Sequence, residues 1–173
     1  STHITFNSVS QWQRFSETIN SHNSNTSNRH VSPGLRVNPL CSVIETDIYN
    51  PALPGSRFGV TAEQLDGQLP EGIEGLHFHA LCESTSYDLE KVLEAFETQF
   101  GKYLPSVKWV NMGGGHLMTK AGYDIPHLIS LLKAFKAKYP WIEVILEPGS
   151  AFTWRTGDLI TSVVDIVENQ GVK

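Results

Sequence analysis

A repeated alternation of short apolar runs with longer amphipathic ones most constrains the fold of this chain. The short runs are rich in β-branched and aromatic residues and predict strands at residues 3–7, 34–38, 73–79, 107–112 and 142–147. The longer runs carry apolar residues at helical spacing and predict helices at residues 10–21, 88–100 and 125–138. Strands that alternate with helices in this way form parallel βα units, so the sequence predicts an α/β fold.

Three further segments predict linkers and a change of domain. Residues 20–33 are rich in Ser and Asn and predict a surface loop. Residues 49–57 contain two prolines and a glycine, which is typical of a functional loop or of a plain connector. A last apolar run at residues 159–167 predicts another strand. We therefore expect residues 1–157 to form one unit and residues 158–173 to begin the connection to another domain.

Composition, charge and the lengths of the apolar runs exclude several classes of protein. The 173 residues are 40% hydrophobic and 18% charged, which is typical of a globular chain with one core. The formal charge is −5 and basic residues do not cluster, so we expect no nucleic-acid partner. No apolar run is long enough to span a bilayer and residues 1–15 do not resemble a secretion signal, so we expect a cytoplasmic protein. Cys41 and Cys82 are expected to be free thiols.

Polar or small residues stand where the predicted strands end. They are Arg36 and Asn38, His77 and His79, Asn111 followed by three glycines, and Glu147. In a barrel the carboxyl ends of parallel strands share one face, and that face carries the chemistry, so we expect these residues to converge. An open doubly wound sheet, with the same residues in ordinary loop and capping positions, is the alternative.

Two glycine-containing turns predict an anion site. Gly113, Gly114 and Gly115 directly follow an apolar strand, so the backbone can approach a ligand closely and its amides can bind a phosphate. The sequence Glu-Pro-Gly-Ser at residues 147–150 repeats this arrangement one βα unit later. Neither turn has the glycine spacing or the Lys-Ser or Lys-Thr ending of a nucleotide-binding loop.

His77, His79 and Glu147 leave more than one chemistry open. The two histidines are two residues apart on a strand and therefore point to the same side, as a metal-binding pair would. One imidazole could equally stack on a flat ring, or make an ordinary hydrogen bond. Glu147 follows a buried apolar run, where a carboxylate needs a positive partner such as a protonated ring nitrogen, a lysine or an arginine. A metal-dependent barrel hydrolase using His77, His79, His116 and Glu147 is one reading.

Five segments resemble a known family over essentially the whole chain. They are GLRVNP, PGSRFGV, GLHFHALCE, WVNMGGGH and LEPGSAF, and they resemble the fold-type III pyridoxal-phosphate decarboxylases, above all the carboxynorspermidine and carboxyspermidine branch. The resemblance implies a TIM-like (β/α)8 barrel, of which this chain holds about strands four to eight. It lacks the first strands and the C-terminal β domain of that family. The implied activity is decarboxylation of a polyamine amino acid in polyamine biosynthesis.

The resemblance also assigns residues to a pyridoxal 5′-phosphate site. His79 would stack on the cofactor ring, Glu147 would pair with its nitrogen, and Arg36 would brace the site. The phosphate would lie at the turn formed by Gly113, Gly114 and Gly115 and at the amides of Gly149 and Ser150. His116 and Asp47 are the candidates for binding substrate, and no metal ion is implied.

The family motif that has no counterpart in this chain is equally informative. The family's Schiff-base lysine precedes the segment that resembles residues 3–7, and no lysine here matches its motif. We therefore expect no catalytic residue for that step in this chain, and no activity from the fragment alone. The family also implies a homodimer. A non-catalytic pyridoxal-phosphate carrier barrel is the remaining alternative.

Overall fold

Five parallel strands form the centre of the molecule. The computed structural model describes residues 2–25 and 29–172. Its strands and α-helices are β1 Thr2–Phe6, α1 Val9–Asn25, β2 Val31–Arg36, β3 Gly75–His77, α2 Ser86–Phe100, β4 Trp109–Asn111, α3 Ile125–Lys138, β5 Glu143–Ile145 and α4 Gly149–Thr153. Short 3-10 turns lie at Asp47–Tyr49, Glu63–Leu65 and Gly101–Ser106.

The order of the strands confirms the predicted fold class. The sheet runs β1-β2-β3-β4-β5, in the order of the chain, and each neighbouring pair is parallel. A doubly wound sheet reverses its strand order at a switch point, whereas a barrel adds each strand beside the previous one. The described residues therefore form a segment of a barrel, and the doubly wound alternative is disfavoured. Cys41 and Cys82 are free, as expected.

The prediction of a loop at residues 20–33 is wrong at both ends. Helix α1 continues to Asn25 and β2 already begins at Val31, while residues 26–28 lie outside the described part of the chain. The Asn23 side chain explains the order, because it donates to the Val31 carbonyl and accepts from the Val31 amide, both at 2.9 Å. One asparagine of this Asn-rich segment therefore links the end of α1 to the start of β2.

The prediction of a strand at residues 159–167 is also wrong. This segment has no regular structure, and Leu159, Ile160 and Val164 are 91%, 94% and 96% exposed. A β-rich sequence becomes a strand only where a sheet edge accepts its hydrogen bonds, and within the described residues none of the five strands pairs with it. Whether residues 158–173 connect to another domain stays a prediction.

Helix α2 shows how local sequence positions the outer layer. Thr85 and Asp88 form a capping box, in which Thr85 Oγ1 accepts from the Asp88 amide and Asp88 Oδ2 accepts from the Thr85 amide. The helix then buries one apolar face, which includes Leu89 and Phe96, against the sheet. Phe96 contacts the ring of Phe78, just past the end of β3, with centroids 4.8 Å apart. Among the described residues, no helix is long and apolar enough to cross a membrane.

Trp109 fills the inner side of the sheet. Gly34, Gly75 and Trp109 lie side by side in the register of β2, β3 and β4, and the indole covers both glycines. A Cβ atom added to either glycine would lie 2.1 Å from the ring. The indole Nε1 donates to Ser32 Oγ at 2.8 Å, which satisfies the buried polar atom. The tryptophan therefore closes the interior below the level where the polar strand ends begin.

Glu74 gathers charges at the amino end of the strands. Its carboxylate accepts from Lys108 Nζ at 2.6 Å and from Ser32 Oγ at 2.5 Å, and it contacts His30 Nε2 at 3.0 Å. Burial alone would raise the pKa of Glu74, but the hydrogen bonds from Lys108, Ser32 and His30 lower it to about 2. Because Ser32 also accepts from Trp109, this cluster fixes the residue that closes the interior.

Replacing Gly75 with alanine tests the packing of Trp109. We expect Gly75→Ala to lower the free energy of unfolding by about 1–3 kcal/mol, because the new methyl group overpacks the indole. Urea unfolding followed by tryptophan fluorescence measures this loss. Gly101→Ala is the matched control, since a Cβ atom there meets nothing within 4 Å. Equal effects of the two substitutions would contradict the packing argument.

Acid titration tests the Glu74 cluster. The pKa of Glu74 is about 2 in the folded protein and near 4.5 ordinarily, so the cluster stabilises the fold fully above pH 4.5. This contribution is lost as the pH falls from about 4.5 towards 2. In urea unfolding, the stability difference between wild type and Glu74→Gln should therefore be largest near neutral pH and shrink in acid. A difference that grows with acidity would show that the sign is wrong.

Candidate active site

The sheet's hydrogen bonding continues past the ends of β3, β4 and β5. The Phe78 amide donates to the Asn111 carbonyl at 2.9 Å, and the Met112 amide donates to the Ile145 carbonyl at 2.9 Å. One residue pair later, the Glu147 amide donates to the Gly113 carbonyl at 2.8 Å. This extension places the predicted glycine turn directly beside the Glu-Pro-Gly-Ser turn, at the carboxyl ends of the strands.

A polar layer lies above Trp109 on the same side of the sheet. Arg36, His77 and Asn111 occupy one level of the register, so their side chains point the same way. The Glu147 side chain lies over this layer, where Asn111 Nδ2 donates to Glu147 Oε1 at 2.8 Å. Glu147 Oε2 lies 3.9 Å from His77 Nε2. The structure thus brings together polar residues from four consecutive strand ends.

Glu147 is more exposed than the sequence suggests. Its side chain is 51% exposed, because β5 is the last strand of the described sheet and one flank is open. The expectation of a buried carboxylate is therefore wrong within the described residues. Among the described residues Arg36 makes no ion pair with Glu147, and its guanidinium stacks on the Phe58 ring at 4.7 Å. Burial lowers the pKa of Arg36, and Glu147 acts in the opposite direction.

His77 is a buried, neutral imidazole. Neither ring nitrogen has a hydrogen-bond partner in the described structure. Burial is the main cause that lowers the pKa of His77 to about 4; Glu147 opposes this shift, and Arg36 and His79 contribute to it. At neutral pH the contact between His77 and Glu147 is therefore not an ion pair.

His79 stands over the glycine turn. Its Nδ1 accepts a hydrogen bond from the Gly114 amide at 3.2 Å. Burial is the main cause that lowers the pKa of His79, followed by the charge of Arg36. A neutral imidazole whose Nδ1 accepts carries its proton on Nε2. The ring is thus held by the backbone turn in a defined tautomer, with one face at the open end of the site.

No side chain can replace hydrogen at the three glycines without moving backbone atoms. An added Cβ atom would lie 2.5 Å from the Phe78 carbonyl oxygen at Gly113, 2.6 Å from the Glu147 oxygen at Gly114, and 2.2 Å from the Leu81 oxygen at Gly115. Gly113 and Gly115 also have positive φ angles, 69° and 86°. Glycine is therefore required by packing at this turn.

The amides of the two turns differ in availability. Those of Gly113 and Gly114 donate to Asn111 Oδ1 and His79 Nδ1, and that of Gly149 donates to the Glu147 carbonyl. The amides of Gly115 and Ser150 have no acceptor in the described ranges. These two are the donors free to bind an anion, in a cavity of about 300 Å³ that contacts both turns.

The structure adds two side chains to this cavity and leaves two predicted ones outside it. Tyr49 and Cys82 line it, although the sequence singled out neither as a site residue. Tyr49 belongs to the loop that was predicted from the prolines at residues 49–57. Prolines predict a loop but do not show which of its side chains line a cavity. His116 is fully buried and Asp47 is exposed, and neither lines this cavity. Their roles in substrate binding stay predictions.

His77, His79 and Glu147 could also surround a metal ion. Each offers one ligand atom, and these atoms lie within 4.8 Å of one another. The hydrogen bond from Gly114 works against this use of His79, because Nδ1 is occupied and the other nitrogen carries the proton. Metal binding would require His79 to release the glycine turn, whereas a flat ring stacked on the imidazole would not.

Comparison with known proteins identifies relatives of nearly the whole chain, although no protein-family model matches it. The chain is 48% identical over 166 residues to a carboxyaminopropylagmatine decarboxylase of Synechocystis sp.. It is 45% identical over 168 residues to a carboxynorspermidine/carboxyspermidine decarboxylase of Campylobacter jejuni. The chain is homologous to a segment of these decarboxylases. The two matches cover 96% and 97% of this chain but only 41% of each relative.

Solved structures support the same assignment. The crystal structure of carboxynorspermidine decarboxylase from Campylobacter jejuni with norspermidine matches at a TM-score of 0.74 and 44% identity, over 98% of this chain and 41% of that one. Diaminopimelate decarboxylase from Helicobacter pylori matches at a TM-score of 0.59 and 20% identity, over 85% of this chain and 39% of that one, which shows the fold alone. The resemblance drawn from the sequence is confirmed, and this chain forms a partial barrel similar to a segment of these solved decarboxylases.

The protonation of His77 can be measured directly. Since its pKa is about 4, we expect its imidazole to stay neutral between pH 8 and pH 5. NMR titration of the histidine ring signals should show no change for His77 over this range, and a His77→Gln variant identifies its signal. A titration midpoint above pH 6 would contradict a neutral His77 beneath Glu147.

Proposed function

We propose that the full-length protein containing this chain decarboxylates a polyamine amino acid of the carboxynorspermidine or carboxyspermidine type. One observation carries the proposal: the carboxylate of Glu147 stands beside two glycine-containing turns with free amides, in a segment homologous to such decarboxylases. The name of the Campylobacter jejuni relative supplies this substrate class, and the Synechocystis relative is named for a related carboxylated polyamine precursor, carboxyaminopropylagmatine. The chain spans 41% of their length, so other parts of the protein complete the site.

The residues present fit pyridoxal 5′-phosphate. A phosphate group would accept from the amides of Gly115 and Ser150, and the glycine turn leaves it space because no Cβ atom intrudes. The neutral imidazole of His79 offers a flat face to the ring. Glu147 offers a carboxylate to a protonated ring nitrogen. When bound, the cofactor supplies an electron sink for the electron pair that remains when carbon dioxide leaves.

The polar layer keeps the charge of Glu147 available. Asn111 orients the carboxylate through Oε1 without neutralising it. His77 stays uncharged because it is buried, and Arg36 is held on Phe58 rather than on Glu147. A carboxylate with these neighbours favours a cation above it, and pairing with it would keep the ring nitrogen protonated. Asn111 would therefore act as a positioning residue for Glu147, while Arg36 and His77 would set the electrostatic surroundings of its carboxylate.

Several parts of the proposal depend on groups outside this cavity. No lysine lines it in the described ranges, so the lysine that attaches the cofactor would come from elsewhere in the full-length protein. The acid that reprotonates the product carbon would also come from elsewhere. We propose a homodimer in the cytoplasm, without a nucleic-acid or membrane partner, in keeping with the biosynthetic activity of the named relatives.

Substitution of Glu147 tests this proposal. In the full-length protein, Glu147→Gln should lower kcat by about 10²-fold or more, because an ion pair worth roughly 3 kcal/mol is lost. The visible absorbance of the bound cofactor should largely remain, since the phosphate contacts are untouched. Glu143→Gln is the matched control, with the same change of charge on the amino end of the same strand. Unchanged turnover in Glu147→Gln would remove the role assigned to this carboxylate.

Metal analysis, absorbance and activity of the same full-length protein distinguish the proposed decarboxylase from a metal-dependent hydrolase and from a carrier of pyridoxal phosphate. A metal-dependent hydrolase would contain stoichiometric metal that is lost when His77 is replaced, and no visible cofactor absorbance. A carrier of pyridoxal phosphate would show the absorbance without decarboxylating either carboxylated polyamine. The proposed decarboxylase shows the absorbance, releases carbon dioxide and needs no added metal.

A further inference from the structure

A second cavity adjoins the cofactor cavity. It has a volume of about 600 Å³ and lies between the loop that carries Tyr49 and the turn that follows β3. Its wall is formed by Val43, Ile44, Glu45, Thr46, Tyr49, Cys82, Glu83, Ser84 and Asp88. Tyr49, Cys82 and Glu83 line both cavities. A ligand whose reacting end lies over the glycine turn can therefore extend past these shared residues into the second cavity.

The wall of the second cavity carries negative charge that is not neutralised. Glu45, Glu83 and Asp88 are acidic, and none of the residues that line it is basic. Asp88 is already engaged, since its carboxylate accepts from the Thr85 amide and hydroxyl. Glu45 and Glu83 make no hydrogen bond or ion pair with the residues that the structure describes. Their carboxylates are free to bind a cation.

The position of Glu83 is tied to the anion-binding turn. The next residue, Ser84, donates its amide to the Gly115 carbonyl at 2.8 Å, and its hydroxyl accepts from the Cys82 amide at 3.1 Å. Glu83 therefore projects from a turn that is hydrogen-bonded to the site itself. On the opposite wall, Tyr49 adds an aromatic face, which attracts an ammonium group more strongly than an aliphatic side chain does.

We propose that Glu45 and Glu83 are specificity-determining residues that bind the distal ammonium groups of the polyamine amino acid. This inference rests on the proposed function, because it assumes that the amino-acid end of the substrate reacts in the cofactor cavity. A polyamine amino acid carries its reacting carboxylate at one end and ammonium groups along a flexible chain. The two cavities offer the matching arrangement, with anion donors in one and free carboxylates in the other.

The test compares charge-removing variants of the full-length protein with its cofactor bound. Glu45→Gln and Glu83→Gln keep the size of the side chain and remove its charge, and Glu17→Gln on the exposed surface of α1 is the control. We expect each cavity variant to raise KM for carboxynorspermidine by about tenfold and the double variant by about 100-fold, as for charged hydrogen bonds. The value of kcat should stay within about twofold of wild type, because these residues lie away from the reacting atoms.

Two further readouts separate binding from structure. Inhibition by norspermidine should weaken in parallel with the rise in KM. The increase of KM with salt concentration should be shallower in the double variant than in wild type or Glu17→Gln. The visible absorbance of the cofactor should be the same in all five proteins, which shows that the fold and the cofactor site are intact.

The outcomes distinguish this inference from the function on which it rests. If wild type decarboxylates carboxynorspermidine and the double variant has an unchanged KM, the inference is overturned and the proposed function stands. If wild type decarboxylates neither carboxylated polyamine, the proposed function fails, and calorimetry with norspermidine decides the inference separately. Binding to wild type that weakens in the double variant then supports it, and binding that is absent or unchanged overturns it.

Discussion

The hydrogen bond from the Glu147 amide to the Gly113 carbonyl is the contact on which the candidate site depends. It extends the pairing of β4 and β5 by one step and sets the two turns side by side at the open end of the strands. The Gly114 backbone then lies so close to Glu147 that only glycine fits. Without this extension the free amides of Gly115 and Ser150 would not face the same cavity. A backbone contact therefore assembles a site from residues about 35 positions apart.

Burial sets the charges around this contact. The imidazoles of His77 and His79 are both kept neutral, because their enclosure disfavours the protonated form and Arg36 adds to the effect. Asn111 binds the carboxylate of Glu147 without cancelling its charge. Beside the glycine turn the site consequently presents the carboxylate of Glu147 and two free amide donors, which would suit a ligand with a positive ring and a negative phosphate. The same arrangement leaves a metal ion without a lone pair on His79.

Physical rules explain which parts of this arrangement were readable in the sequence. The order and type of the elements follow from apolar periodicity, so the five strands and three longer helices were predicted with small errors in their bounds. The glycine turn and Glu147 were also found, since small and charged residues at strand ends are unusual. The link from Asn23 to Val31 was missed, because composition does not show which residue a side chain reaches. For the same reason Tyr49 was not singled out within its loop.

Sequence alone determined the α/β class, the resemblance to the decarboxylases and the residues proposed to surround a cofactor, because these depend on local patterns and on matching segments. Tertiary structure decided how exposed Glu147 is, which amides are free, and that a cavity bounded by Glu45 and Glu83 adjoins the site. It also decided that residues 159–167 form no strand, despite their β-rich sequence. These properties depend on which residues distant in sequence pack together, and local sequence patterns do not show those contacts.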